Sequence, residues 1–384
     1  MTTHVCPLPW ISLEVNATGN IKPCCLVEEV AAKISTSSLV DAAASPLMQK
    51  IRSSMLAGQR PAECTRCWQA EDAGHTSKRM HALQRFGADT TQHLRHLDLK
   101  LGNICNIKCR ICGDMSSSQW ATEAYKHSGP AGKEWYMRVS REGRWPRTTP
   151  TFWEEIGQHL STIEEIEITG GEPLLIQEQF AVLKQAIDQG VAHRIFIHYN
   201  TNGTVWPEEA ITNIWPHFKT VEVAFSIDNT GSRFEYERYP APWATVAENY
   251  SKLNNTRLKH RWLKTQICTT VSKFNVYYLP EITDFIINAR PTSWHYNLLH
   301  SREIYNISYL NPEAKAVIRQ RIEEKMSHHS FYNDRVLPII NFMMVDHPAN
   351  DAEFLARTAE VDKWRTQSLS NSHPELFALL NATT

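Results

Sequence analysis

A chain of 384 residues, 42% hydrophobic and 21% charged, has the composition of a globular protein with room for two or three domains, which excludes a disordered or low-complexity segment. Lys plus Arg number 40 against 41 for Asp plus Glu, so no net charge draws the whole molecule to nucleic acid or an anionic membrane. The first ten residues have no positive leader and no apolar signal core, and the apolar stretch near Val336 to Val345 is too short to span a bilayer, so a soluble cytoplasmic protein without a membrane partner is expected.

In chain order, Ile11 to Val15 and Ile21 to Cys25 read as short strands around the turn Asn16-Ala-Thr-Gly-Asn20. A helix-like stretch from Leu39 to Leu56 follows, and then Cys64-Thr-Arg-Cys67. From residue 94 strands alternate with helices. The strands expected are Leu94 to Leu101, Ile163 to Thr169, Arg194 to Asn200, Val221 to Ile227, Leu263 to Val271 and Trp294 to Leu298. Amphipathic helices are expected at Gln177 to Gln189, Ala244 to Leu253 and Val276 to Asn288. Six βα units suffice for a partial (β/α)6 barrel of the TIM-like α/β class, with its site at the carboxyl ends of the strands. Residues 113 to 158 form the longest gap, an insertion of the length that often covers a site. The tail after about 305 reads as helical at Pro312 to Lys325 and Asn350 to Arg365. Three regions result: 1–88, cysteine-rich; 89–304, the barrel; and 305–384, a helical extension.

Nine cysteines in a large leaderless chain point to metal binding or chemistry rather than a disulfide framework. Cys105, Cys109 and Cys112 lie on one loop directly after a strand. Soft thiolates suit iron-sulfur clusters, and a cubane wants four ligands, so three cysteines leave one iron open. A zinc site would want a fourth close Cys or His, and none is near in sequence. Gly170-Gly171-Glu172-Pro173 ends the next strand, where glycines permit close backbone approach and the carboxylate can accept from an ammonium. Cys6, Cys24, Cys64 and Cys67 are four further thiolates, fit for structural zinc or a fully ligated cluster.

The spacing CxxxCxxC, with GGEP one strand later, resembles the radical S-adenosylmethionine (SAM) superfamily over roughly residues 94 to 300. The resemblance implies a SAM-binding 4Fe-4S cluster on Cys105, Cys109 and Cys112, and Ile111 stands where that motif usually carries an aromatic. It implies that Gly170, Gly171, Glu172 and Pro173 hold the SAM amino group. Asn202, in Thr201-Asn-Gly203 at the end of the third strand, is a further cofactor-binding match; Ser226 and Asp228 match the region near the ribose and carboxylate, and Arg238 the arginine that some relatives pair with the carboxylate. Reductive cleavage of SAM would then yield a 5′-deoxyadenosyl radical that takes hydrogen from substrate. The pattern Cys6-Pro-Leu-Pro-Trp10, Gly19-Asn-Ile-Lys-Pro-Cys24-Cys25 and Cys64-Thr-Arg-Cys67-Trp68 looks like a twitch domain, a shortened SPASM module carrying an auxiliary 4Fe-4S cluster, here placed before the core. Neighbours on a strand point to opposite faces, so Cys24 and Cys25 are not both expected to ligate, and Cys24 is the expected ligand because it falls where the hairpin returns after Pro23, as in similar modules. The auxiliary cluster is expected to transfer electrons.

Cys268 is expected to pack in the core, with a substrate-facing thiol the lesser alternative, and no catalytic role is assigned to His193, His198, His295 or His300. The implied partners are a reductant such as flavodoxin or ferredoxin and a small-molecule or carbohydrate substrate. A peptide or protein substrate, or a non-catalytic iron-sulfur or zinc protein, is the alternative. The residue that handles the substrate radical is not identified.

Overall fold

Nine strands run in the order β3-β2-β1-β4-β5-β6-β7-β8-β9 in the computed structural model, which describes residues 4–381. They are β1 (Ser12–Val15), β2 (Asn20–Lys22), β3 (Ala32–Lys33), β4 (His96–Lys100), β5 (Glu165–Thr169), β6 (Phe196–Thr201), β7 (Thr220–Ser226), β8 (Leu263–Val271) and β9 (Ser293–Leu298). From β4 to β9 every neighbour pair is parallel, giving the expected partial barrel of six βα units. The crossovers include helices Gln177–Asp188, Trp243–Arg257 and Leu279–Ala289.

Each strand alternates apolar and polar residues. Leu97, Leu99, Ile166, Ile168, Ile197, Val221, Val223 and Ile267 join one hydrophobic core on the helix-covered face. The opposite, inner face is almost entirely polar. Its register places Lys22, Glu14, Asp98, Glu167, His198, Glu222 and Lys264 side by side in one row. A closed barrel fills its interior with layers of branched apolar side chains. Here the polar groups of the inner face pair largely with one another, His96 with Glu167 and His198 with Glu222 among them.

The N-terminal hairpin joins this sheet directly. β1 pairs antiparallel with β2 and parallel with β4, so Ser12 and Glu14 continue the inner face beside His96 and Asp98. Pro23 ends β2 three residues before the expected strand would, because a proline has no N–H for the ladder. A second, smaller core gathers Val5, Leu8, Trp10, Ile51, Met55, Trp68 and Ala82. The expected helix over 39–56 is two helices, Leu39–Ala43 and Pro46–Leu56; Ser45 caps the second through Met48 N, and Pro46 suits a first turn but not a helix interior.

The long insertion folds as helices Ser118–Lys126, Pro130–Glu142, Trp145–Thr148 and Pro150–His159. The tail contributes Pro312–Met326 and Asp351–Arg365. Lys273, wholly buried after β8, donates to Asp351 Oδ1 and Asn350 Oδ1 at 2.6 Å and to the Tyr309 carbonyl at 2.9 Å, tying that tail to the barrel. No helix among the described residues is long and apolar enough to cross a membrane.

Candidate active site

The loop of Cys105, Cys109 and Cys112 rests on two glycines. A Cβ on Gly171 would lie 2.3 Å from the Ile104 carbonyl oxygen, and one on Gly170, whose φ is +130°, 2.6 Å from Leu101 N. Gly171 N donates to the Gly102 carbonyl at 3.1 Å and Glu172 N to the Ile104 carbonyl at 2.8 Å. The close approach these glycines permit is therefore to the cysteine loop itself. Only residues without side chains bring the end of β5 this near to it.

Glu172 turns inward and is fully buried. Its Oε1 accepts from Thr201 Oγ1 at 2.8 Å and Leu174 N at 3.1 Å, and its Oε2 from Asn202 N at 2.8 Å. A carboxylate has about four acceptor positions, so three are taken by the ends of β5 and β6. Burial pushes this carboxyl up to about 7, against the pull of those donors. Pro173 is buried at the start of the short 3₁₀ turn that follows.

Cys105 and Cys109 are buried and Cys112 is half-buried. Burial, and then the neighbouring Cys109, push the Cys105 thiol up to about 12. Cys109 and Cys112 share a hydrogen bond that keeps the proton on Cys109, raising it and lowering Cys112. Three crowded thiols cannot all ionise in this setting without a cation among them, and this donor set fits an iron-sulfur cluster.

Two donors point at the sulfurs. Asn202 Nδ2 lies 3.8 Å from Cys105 Sγ and 2.9 Å from Asn106 Oδ1, and Arg238 Nη1 lies 3.8 Å from Cys109 Sγ. Arg238 is fixed by Asp228, whose Oδ2 accepts from Nε at 2.8 Å, while Oδ1 accepts from Thr270 N at 2.8 Å. Cys105, Cys109, Cys112, Glu172, Asn202, Asp228 and Arg238 are thus one connected group. Ser226 stands apart from it, on the inner face in register with Cys268. Cys268 itself is buried and accepts from Asn297 Nδ2 at 2.9 Å.

Three residues outside the expected set complete the surroundings. Arg110, inside the cysteine motif, is 2% exposed; its Nη2 donates to Gln367 Oε1 at 2.8 Å and to Asp362 Oδ1, and its guanidinium lies 4.0 Å from the Tyr236 ring centroid. Arg302 donates to the Cys112 carbonyl at 2.6 Å. Trp120 Nε1 donates to the Cys109 carbonyl at 2.8 Å. The sequence signal for Arg110 was a charge between two cysteines, with the hydrogen-bond partners of its guanidinium over 240 residues away.

Around a separate cavity stand Cys6, Cys24, Cys64 and Cys67. Burial pushes Cys24 up to about 11 and Cys64 up to about 12. Cys25 lies on the other side, with Lys78, Asp98 and Lys100 as its charged neighbours, and burial raises it as well. The nest offers four sulfurs, a complete set for a cluster or a zinc ion.

Residues 6–68 match the SPASM family, described as an iron-sulfur cluster-binding domain. No curated protein matches the chain. Among solved structures, anSMEcpe with bound AdoMet is 13% identical, with a TM-score of 0.33 over 52% of this chain and 49% of that one. SuiB of Streptococcus suis bound to S-adenosylmethionine is 12% identical, with a TM-score of 0.37 over 69% of this chain and 58% of that one. A second SuiB structure is also 12% identical with a TM-score of 0.37, over 76% and 60%. The chain spans about half the length of anSMEcpe and three fifths of SuiB.

Proposed function

We propose that this chain is a radical SAM enzyme acting on a small molecule or carbohydrate, with an auxiliary cluster in its N-terminal region. The observation that carries the reading is the convergence of three thiols, two of them buried and one half-buried, at the end of β4 with polar donors aimed at the two buried sulfurs. Cys105, Cys109 and Cys112 would hold a 4Fe-4S cluster that, with SAM on its open iron and one electron from a low-potential donor such as flavodoxin or ferredoxin, supplies a 5′-deoxyadenosyl radical.

The chain's own residues orient and shield. Arg238, held by Asp228, places a cation beside Cys109 and offsets part of the rise that the Cys112 hydrogen bond and burial impose on that thiol. Glu172 braces the ends of β5 and β6 and keeps one acceptor position for an incoming ammonium. Gly170 and Gly171 set the height of the loop against β5. Cys6, Cys24, Cys64 and Cys67 would hold the auxiliary cluster, which we read as an electron acceptor or relay for the substrate radical.

Anaerobic reconstitution, with iron and sulfide counted and SAM plus reductant added, tests this. About eight irons are expected, falling to about four when Cys105, Cys109 and Cys112 are replaced by Ala, since each cubane holds four. Formation of 5′-deoxyadenosine only by the unsubstituted protein would support the activity. Full clusters without SAM cleavage would favour a non-catalytic iron-sulfur protein, and zinc in place of the second four irons would make the N-terminal nest structural. Turnover of a peptide but of no small molecule would move the substrate to the peptide class.

A further inference from the structure

The helix Pro130–Glu142 in the long insertion buries one residue, Val139, out of 13. On its outer side Trp135 is 43% exposed and Met137 57%. Trp135 is the one exposed tryptophan among the described residues. Two shallow grooves run along this face, one past Ala131, Glu134 and Arg138 and the other past Tyr125, Ser140 and Arg144, with Met137 and Arg141 bordering both. An exposed apolar group rimmed by polar residues marks an interaction site.

The rim is cationic. Between residues 126 and 147 stand six basic residues, Lys126, Lys133, Arg138, Arg141, Arg144 and Arg147, against two acidic ones, Glu134 and Glu142, in a chain whose net charge is -1. Glu142 is already taken by Lys33 at 3.2 Å, and among the described residues no carboxylate stands within ion-pair distance of any of the six cations. Lys133 lies over the Tyr125 ring at 5.4 Å, Arg138 over the Trp135 ring at 4.5 Å, and Arg147 donates to the Leu175 carbonyl at 3.1 Å. Unanswered cations around an apolar centre complement an acidic partner. Trp, Met and Arg are the residue types enriched where proteins meet, which favours a protein over a nucleic acid.

The same helix is fastened to both ends of the loop of Cys105, Cys109 and Cys112. Trp135 Nε1 donates to Asp114 Oδ2 at 2.6 Å, just beyond Cys112. Asn103, just before Cys105, donates through Nδ2 to the Asp114 carbonyl at 2.9 Å and to the Val139 carbonyl at 3.4 Å, and through its backbone N to the Gly143 carbonyl at 3.1 Å. Tyr136 and Cys112 pack against one small core of Trp120, Ala124 and Val361. A helix is about 10–12 Å across, so a partner on the outer face comes within roughly that distance of the core beside Cys112. We propose that this face docks an acidic one-electron donor protein. The partner gives up one electron and the cluster on Cys105, Cys109 and Cys112 gains it, with no atom or proton crossing. The electron's destination rests on the cluster reading above; the docking does not. At about 1.5 Å per residue the helix runs about 20 Å. A footprint of that size is small, as transient electron-transfer contacts are, below about 1,200 Å² in total.

Calorimetric titration of the anaerobically reconstituted full-length protein with an acidic flavodoxin and an acidic ferredoxin, at low and at high salt, tests the assignment. Binding of at least one of them is expected, weakening as salt screens the charges. Arg138→Glu combined with Arg141→Glu, checked for unchanged circular dichroism and iron content, should weaken that binding about tenfold, equivalent to ~1.4 kcal/mol. Lys259→Glu combined with Arg261→Glu makes the same change in net charge on the exposed loop before β8, at the opposite end of the strands, and should leave binding as it was. The reduced donor should also reduce the cluster about tenfold more slowly in the Arg138 and Arg141 variant, followed by electron paramagnetic resonance, whereas dithionite, which needs no docking, should reduce both proteins alike. No binding of either donor, equal weakening by the two charge-reversed pairs, or slower reduction by dithionite in the variant would overturn the proposal. So would a single-stranded RNA or an acidic peptide that binds these residues more tightly than either donor, which would give the face to nucleic acid or to a peptide substrate. SAM cleavage driven by dithionite decides the radical reading separately, since it does not involve this surface.

Discussion

Replacing Asp362 by Ala should cost the three-cysteine site its iron while leaving the N-terminal nest loaded. Arg110 sits between Cys109 and Cys112, 2% exposed, and its guanidinium is held by Asp362, Gln367 and the Thr358 carbonyl. Asp362 is also the acceptor for Tyr236 Oη at 2.9 Å and for Leu369 N at 2.9 Å. Its loss leaves a buried arginine without its counter-charge. Breaking one side of a buried ion pair costs about 3–5 kcal/mol. Relief comes from moving the loop that carries Arg110 toward solvent. At 1.4 kcal/mol per decade, 3 kcal/mol alone reduces the population of the native loop more than a hundredfold if the loop opens locally. Iron and sulfide counts after anaerobic reconstitution should therefore fall from about eight to about four per chain. The double variant Arg110→Met with Asp362→Leu, which removes both charges, should recover part of the loss. Asp362→Ala that retains full iron and an unchanged unfolding midpoint would refute the argument that the tail braces the loop.

Gly171→Ala should also lose the loop's iron, since its Cβ would meet the Ile104 carbonyl at 2.3 Å; an iron count equal to the parent's would show that the loop can shift at no cost. Cys24→Ala should halve the iron and Cys25→Ala should not, because only Cys24 lines the cavity shared with Cys6, Cys64 and Cys67; equal losses would show that the two exchange. His373 is buried beside Glu237 at 3.1 Å, and burial pushes its pKa from 6.5 down to about 3. Its folded pKa lies below the unfolded one, so its contribution to stability is present above pH 6.5 and is lost as pH falls toward 3. Unfolding midpoints of His373→Asn measured across that window should fall less steeply than the parent's, and parallel curves would remove His373 from the account.

Local spacing carried much of the site. Cys105, Cys109 and Cys112 are close in sequence and Gly170 to Pro173 directly follows a strand, so neither reading needed a tertiary contact. The polar inner face is legible in the alternation of His96-Leu-Asp-Leu-Lys100 and Glu165-Ile-Glu-Ile-Thr169, a pattern the strand assignments did not draw on. The helix boundary at Ser45-Pro46 was legible too, from a cap residue followed by a proline, yet the apolar spacing of 39–56 suggested one helix.

By itself the sequence determined the alternating βα order, the strand that delivers the three thiolates, and which side chains are available as ligands, because these depend on periodicity and on contacts a few residues apart. The tertiary structure alone decided that β1 adds to the barrel sheet beside β4, that Cys24 and Cys25 face different surroundings, and that Arg110 finds its counter-charge in the tail. Pairing register and buried charge matching join residues up to 252 positions apart. Such partners are selected by the free energy of the assembled core, in which an unpaired charge is expensive, and not by any pattern along the chain.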